Sequence, residues 1–234
     1  MSSSSPPLSS STPSSPSSST SPSLTNDTSV EFRNAIPEDV DAAIQLIYSS
    51  APEVFDFVFA VPPIKALDFL RFVFIDGEGE LGYRNHIVGI RNGKVVAAGA
   101  GWSGKNNLSF TLSAARQIIR FYGLISGLRV TIRGLQTESV IPPPGRNIFN
   151  FGHLGIAPEC QSQGIGKKLI HYLIEKGKRD GIKIFSLDVS VNNPRAQSLY
   201  ERIGFEVVKL NSSTLRNNQG FVPSHRTMRM NVNM

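Results

Sequence analysis

The sequence predicts an α/β (α+β) fold, a mixed sheet flanked by helices, and three observations predict it. Along residues 30–231, stretches of apolar alternation give way repeatedly to stretches of helical spacing. The changes fall on cap and turn signals: Pro37, Asn92-Gly93, Pro142-Pro143-Pro144-Gly145 and Gly164. With 40% apolar residues in 234, the chain has material for one core and little for a second. Residues 1–29 stand apart: the first thirty positions are about half serine and hold no Lys or Arg, a composition that cannot offset ordering entropy by burial. The expected organisation is a disordered Ser/Pro-rich tail at 1–29 and a single folded domain at 30–234.

The elements follow in order. Residues 30–36 alternate as a strand, and Pro37-Glu38-Asp39 supplies an N1 proline and first-turn acids for a helix to about residue 48. Residues 51–63 read as a loop rich in Phe55, Phe57 and Phe59 beside Glu53 and Asp56. Pro62-Pro63 introduces a second amphipathic helix to about residue 74, and 86–90 with 95–102 forms a hairpin across Asn92-Gly93. Residues 108–135 carry Arg116, Arg120, Arg129 and Arg133 among Ile, Leu and aromatic residues, and predict one or two short inserted helices. The proline run then leads into a strand at 148–156. Residues 164–178 have helical apolar spacing, 182–191 read as a strand, 193–203 as a helix, and 205–210 and 224–231 as extended.

Chemistry concentrates in residues 153–168, HLGIAPECQSQGIGKK, where an extended run, a glycine loop and a helix start follow one another. Gly164 and Gly166 allow consecutive N–H groups to turn toward one anion, with Lys167 and Lys168 on the opening turn, so the expected ligand is phosphorylated. Two common phosphate motifs do not fit. A Walker loop ending at Gly166-Lys167 needs glycine at Gln161 and a hydroxyl at Lys168, and a dinucleotide fingerprint beginning at Gly164 needs a small residue at Leu169.

Gln161-Ser162-Gln163-Gly164-Ile165-Gly166 resembles motif A of the GNAT superfamily of acyl-CoA-dependent N-acetyltransferases, Gln/Arg-x-x-Gly-x-Gly/Ala. Downstream, Asn193-Pro194-Arg195-Ala196-Gln197-Ser198-Leu199-Tyr200-Glu201-Arg202-Ile203-Gly204-Phe205 is similar to motif B, N-x-x-A-x-x-L-Y-x-x-x-G-F. The resemblance implies a mostly antiparallel sheet, acetyl-CoA as acyl donor, no metal, and acetyl transfer to a primary amine by direct attack in a ternary complex. It places pantetheine along Leu154, Gly155 and Ile156, and pyrophosphate over Ser162, Gln163, Gly164, Ile165, Gly166 and Lys167, with Gln161 and Asn193 as further cofactor-binding residues of the two motifs. It implies Tyr200 as general acid toward the departing thiolate. Asn193 reads equally as a helix N-cap before Pro194.

For the base two residues compete. Asp188 occupies the place that a glutamate fills in ribosomal-protein-type members, and its shorter side chain reaches less far. His153 lies on the strand entering the loop, and imidazole titrates near neutrality; a plain strand histidine is the alternative. Cys160, the only cysteine, excludes an intramolecular disulfide and a cysteine zinc cluster, and reads as inert. The Phe55, Phe57 and Phe59 loop either packs into the core or lines a pocket for an amine with an apolar body.

The net charge of +6 is uneven: residues 1–94 sum to −5 and 95–234 to +11. The basic half holds the glycine loop, which suits polyanionic CoA on one side and a cationic amine on the other; a solvated charged surface is the alternative. The sequence lacks an aromatic-interleaved basic patch, so no specific nucleic acid is expected. No apolar run approaches the ~20 residues of a membrane span. The expected location is cytoplasmic, or plastid if the serine-rich tail is a transit peptide. The acceptor, a small molecule or a protein amino group, and a homodimer are left open. A non-catalytic acyl-CoA-binding module is the second functional class, and an anion-surface binder acting through the arginine-rich segment is the third.

Overall fold

The computed structural model describes residues 1–2 and 29–232, so the tail expectation falls outside the described residues. Seven strands form one sheet: β1 (Glu31–Asn34), β2 (His86–Arg91), β3 (Lys94–Ser103), β4 (Ile148–Ile156), β5 (Ile184–Ser190), β6 (Glu206–Asn211) and β7 (His225–Asn231), in the order β1-β2-β3-β4-β5-β7-β6. Every neighbouring pair is antiparallel except β4 with β5. Parallel neighbours need a crossover, and α5 (Ile165–Arg179) supplies it. The remaining helices are α1 (Val40–Ser49), α2 (Pro52–Phe59), α3 (Ala66–Asp76), α4 (Asn107–Thr137) and α6 (Pro194–Ile203). The β2–β3 hairpin turns through Asn92 and Gly93 at φ 50° and 72°, the left-handed pair that an Asn-Gly turn supplies.

Two glycine patterns fix the layers. A Cβ on Gly99 or Gly101 of β3 would meet Leu169 or Leu173 of α5, so α5 covers the face of the sheet to which those residues point. On the opposite face, a Cβ on Gly155 of β4 would lie 2.0 Å from the Leu46 carbonyl oxygen, so the α1 backbone rests directly on the strand. The main core lies between these layers, with Ile47, Phe74, Ile87, Leu169, Leu173 and Phe185 almost fully enclosed.

Residues 51–63 are not mainly loop: α2 occupies Pro52–Phe59. Pro52 opens it at N1, and Val54, Phe55, Phe57 and Val58 are buried. An eight-residue segment of β-branched and aromatic residues has weak intrinsic helicity, and packing against α3 and α4 decides its state. Phe55 and Phe57 belong to the core rather than to an open pocket wall.

The arginine-rich segment is two helical arms in succession, broken at Gly123 (φ 70°, ψ −176°). A Cβ on Gly127 would lie 3.6 Å from the Ile118 carbonyl oxygen. Nine positions of straight helix would separate those residues by about 13 Å, so the chain folds back on itself at Gly123. Ile118 and Val130 anchor the arms in a second apolar cluster with Val54, Phe57, Phe69 and Val73 of α2 and α3.

Candidate acyl-donor and acceptor site

The site begins with an irregularity in β4. Ala98 of β3 faces Gly155 while Ala100 faces Gly152, so His153 and Leu154 together oppose Gly99. This β-bulge puts His153 at φ 57° and bends the strand. On its other edge β4 pairs with β5 only as far as Phe151 with Leu187. Beyond that pair the strands part, while β5 continues against β7 to Ser190. The β5-facing edge of residues 152–156 is thus left without a strand partner, and Leu154, Gly155 and Ile156 lie along it.

The glycine loop follows at the open end. Ser162 (φ 63°) and Gly164 (φ 77°) take left-handed conformations, and Gly164 caps α5. Among the described residues, none of the six backbone N–H groups from Ser162 to Lys167 donates a hydrogen bond. Nothing lies within 4 Å of a Cβ placed on Gly164, so these donors surround open space at a helix N-terminus. This donor set fits a pyrophosphate: unpaired N–H groups and the helix dipole both favour negative charge, by about 0.3–2 kcal/mol for the dipole.

Two arginines outside the loop hold its side chains. Arg195 of α6 donates to Ser162 Oγ at 2.7 Å and Gln161 Oε1 at 3.2 Å. Arg91 of β2 donates to Gln163 Oε1 at 2.5 Å and Cys160 Sγ at 2.7 Å. Cys160 is buried. Leu199 lies 3.4 Å from a Cβ placed on Gly166, so the two motifs meet in space.

Asn193 is the N-cap of α6: its side chain accepts from the Ala196 N–H at 3.0 Å. Seven residues on, the Tyr200 ring packs against Phe205, which in turn packs against Phe151, the last β4 residue paired with β5. Burial pushes the Tyr200 phenol up to about 12, so it keeps its proton at neutral pH.

Asp188 is the first β5 residue beyond the last pairing with β4. Burial raises its carboxyl to about 6, against the opposing effect of a 2.6 Å hydrogen bond from Thr227 Oγ1. Asn211 Nδ2 donates in turn to Thr227 Oγ1 at 3.0 Å. His153 is differently housed. Its ring stacks on His86 (5.4 Å between centroids) and Trp102 (5.8 Å), and its Nε2 lies 3.3 Å from Glu80 Oε1. His153 Nδ1 and His86 Nε2 are buried without partners among the described residues. Burial holds His86 neutral, at about 3.

A cavity of about 270 Å³ opens on the helical side, lined by Tyr48, Asp56, Pro62, Ile64, Lys65 and Gln219 among others. Tyr48 donates to Asp56 at 2.8 Å. Asp56 therefore reaches a pocket while its neighbours Phe55 and Phe57 do not remain open to one.

The sequence reading left out Arg91, Arg195, Glu80, His86, Thr227 and Asn211. Arg195 stands at a variable position inside the second motif, where its charge beside the loop was the available signal. Arg91, His86, Thr227 and Asn211 reach the site through strand pairing, and Glu80 reaches it from the connection between α3 and β2.

Comparison with known proteins shows the fold and the family. The [Ribosomal protein bS18]-alanine N-acetyltransferase of Escherichia coli K12 is 34% identical over 71 residues, 30% of this chain and 43% of that protein's own length. The chain thus matches less than half the length of that curated relative. An N-acetyltransferase from Staphylococcus aureus Mu50 superposes with a TM-score of 0.60 at 18% identity, covering 86% of this chain and 100% of the other. An acetyltransferase from Salmonella typhimurium, solved with its cofactor acetyl-CoA, superposes at 0.51 and 14% identity, covering 88% and 96%. Both structures share the fold. The family model described as Acetyltransferase (GNAT) family matches residues 76–205, more than half of the sequence, a span that takes in the bulged β4, the unpaired loop and the helix bearing Tyr200, and this chain belongs to that family.

Proposed function

We propose that residues 30–234 form one N-acetyltransferase domain that transfers an acetyl group from acetyl-CoA to a primary amine by direct attack in a ternary complex. The observation that carries it is the run of six unpaired N–H groups at the end of a strand edge that has itself lost its partner. Leu154, Gly155 and Ile156 hold the pantetheine, and Ser162, Gln163, Gly164, Ile165, Gly166 and Lys167 hold the pyrophosphate, with Gln161 at the loop's entry completing the cofactor site and Asn193 fixing the start of α6.

Asp188 removes the proton that the amine loses as its nitrogen bonds to the acyl carbon. A carboxyl held at about 6 is ionised at neutral pH yet basic enough to accept that proton, directly or through a water. Tyr200 donates a proton to the thiolate as the carbon–sulfur bond breaks. His153 remains the second candidate base, supported by its place on the bulge and its unpartnered Nδ1. The Asp56 carboxylate in the cavity supports an acceptor that carries a second cationic or hydrogen-bonding group.

The test is release of free CoA thiol from acetyl-CoA across a panel of amines, diamines and peptides. Acceptor-dependent release that falls by about a hundredfold in Tyr200→Phe, with CoA affinity retained, is expected. CoA binding without release for any acceptor would overturn the transfer and leave a binding module.

A further inference from the structure

We infer that the two helical arms of α4 form a docking face for an anionic lipid bilayer. The first arm exposes Leu108, Leu112 and Ile119, spaced to share one face of the helix. After the reversal at Gly123 the second arm exposes Leu124, Leu128, Ile132 and Leu135 in the same manner. Ile125, beside the turn, is 83% exposed, and Leu124 is 76%. In the first arm these side chains lie opposite the buried Gln117, and in the second opposite the buried Val130, which with Ile118 holds the arms to the body. Large apolar residues concentrated in this way on a soluble surface mark an interaction site.

The occupant follows from charge. Residues 107–137 contain four arginines and no acid. Arg116 and Arg120 share one body carboxylate, Asp76, at 3.0 and 3.7 Å, and among the described residues no salt bridge engages Arg129. A second copy docking through this face would bring arginines against arginines with no acid on either arm to meet them. Residues 3–28 offer only Leu8 and Leu24 as large apolar side chains, too few to cover eight. A bilayer interface accepts both features together, taking the apolar stripe into the acyl boundary while arginine side chains reach the phosphates. No helix among the described residues is long and apolar enough to cross a membrane, so the arms lie on the surface.

The inference is independent of acetyl transfer and is tested separately, by sedimentation of the full chain with phosphatidylcholine vesicles, with and without phosphatidylserine. Binding to the anionic vesicles alone is expected, weakening with salt and falling by at least about tenfold in the triple variant Leu112→Ser, Leu124→Ser, Leu128→Ser. All three positions are exposed, so the variant should retain the wild-type melting curve and thiol release. No binding to anionic vesicles at low salt would overturn the inference. So would binding undiminished in the triple variant, or a wild-type dimer, seen by sedimentation velocity, that the variant dissolves and that binds no vesicles.

Discussion

Replacing Thr227 by valine should move the acid limb of the pH–rate profile without touching any group that contacts the acceptor. Asp188 sits at about 6 because burial outweighs the hydrogen bond it accepts from Thr227 at 2.6 Å. That hydrogen bond favours the carboxylate, so losing it raises the pKa further. A hydrogen bond to a charged group contributes about 1.5–3 kcal/mol, and one pKa unit corresponds to about 1.4 kcal/mol, so an upward shift of about one to two units is expected, and the lower bound of about one unit sets the smallest effect. At pH 6 the ionised fraction then falls from about one half to about one tenth, and kcat/KM should drop about fivefold there while converging on wild type above about pH 8.

The assay is thiol release at subsaturating acceptor between pH 5 and 9, with Thr227→Ser as the control that keeps the donor. Asn211 also loses its acceptor in the valine variant, at a cost of about 1–3 kcal/mol, so a melting curve must show the protein folded across the range. An imidazole base at His153 would be indifferent to Thr227. A limb that stays in place in a folded valine variant would therefore remove Asp188 as the base.

Other outcomes follow from the same structure. Asp188 has a folded pKa of about 6 against 3.8 unfolded, so the native state binds the extra proton and stability is lost as pH rises from about 4 through 6; Asp188→Asn should lose activity yet gain about 3 kcal/mol at neutral pH, read by denaturant titration. His86 has the opposite sign: held neutral at about 3 against 6.5 unfolded, it contributes stability above about pH 6.5 that is lost as pH falls toward 3. A His86→Gln variant should flatten that part of the stability curve, which acid titration followed by circular dichroism would show. Two glycines should separate sterics from backbone strain. Gly155→Ala drives a methyl to 2.0 Å from the Leu46 carbonyl oxygen and should lower stability by 3 kcal/mol or more, on the order of severe overpacking, whereas Gly164→Ala meets nothing and should cost only about 1–2 kcal/mol from its positive φ.

What the sequence disclosed was whatever a short stretch of chain decides for itself. The Asn92-Gly93 turn, the bounds of β4, the left-handed Gly164 and the Asn193 cap each depend on neighbours within a few positions, and each was readable. Both motifs were legible for the same reason. Side chains that reach the site from other elements carried no local mark: Arg91 comes from β2, Glu80 from the segment after α3, and Thr227 from β7. Helix α2 was hidden because eight residues are too few to display a 3.6-residue period when packing supplies the stability.

The α4 segment shows a different limit. Its apolar spacing marks a helix face equally well whether that face is buried or bare, so periodicity predicted the helices and not what covers them. Only the structure separates the two cases, because it shows that Ile118 and Val130 already occupy the inward side. The outward stripe is then surplus to folding. An apolar surface that the fold leaves uncovered, and that arginines border with Asp76 as their one carboxylate partner among the described residues, needs an external partner to account for it, and the vesicle experiment asks for that partner directly.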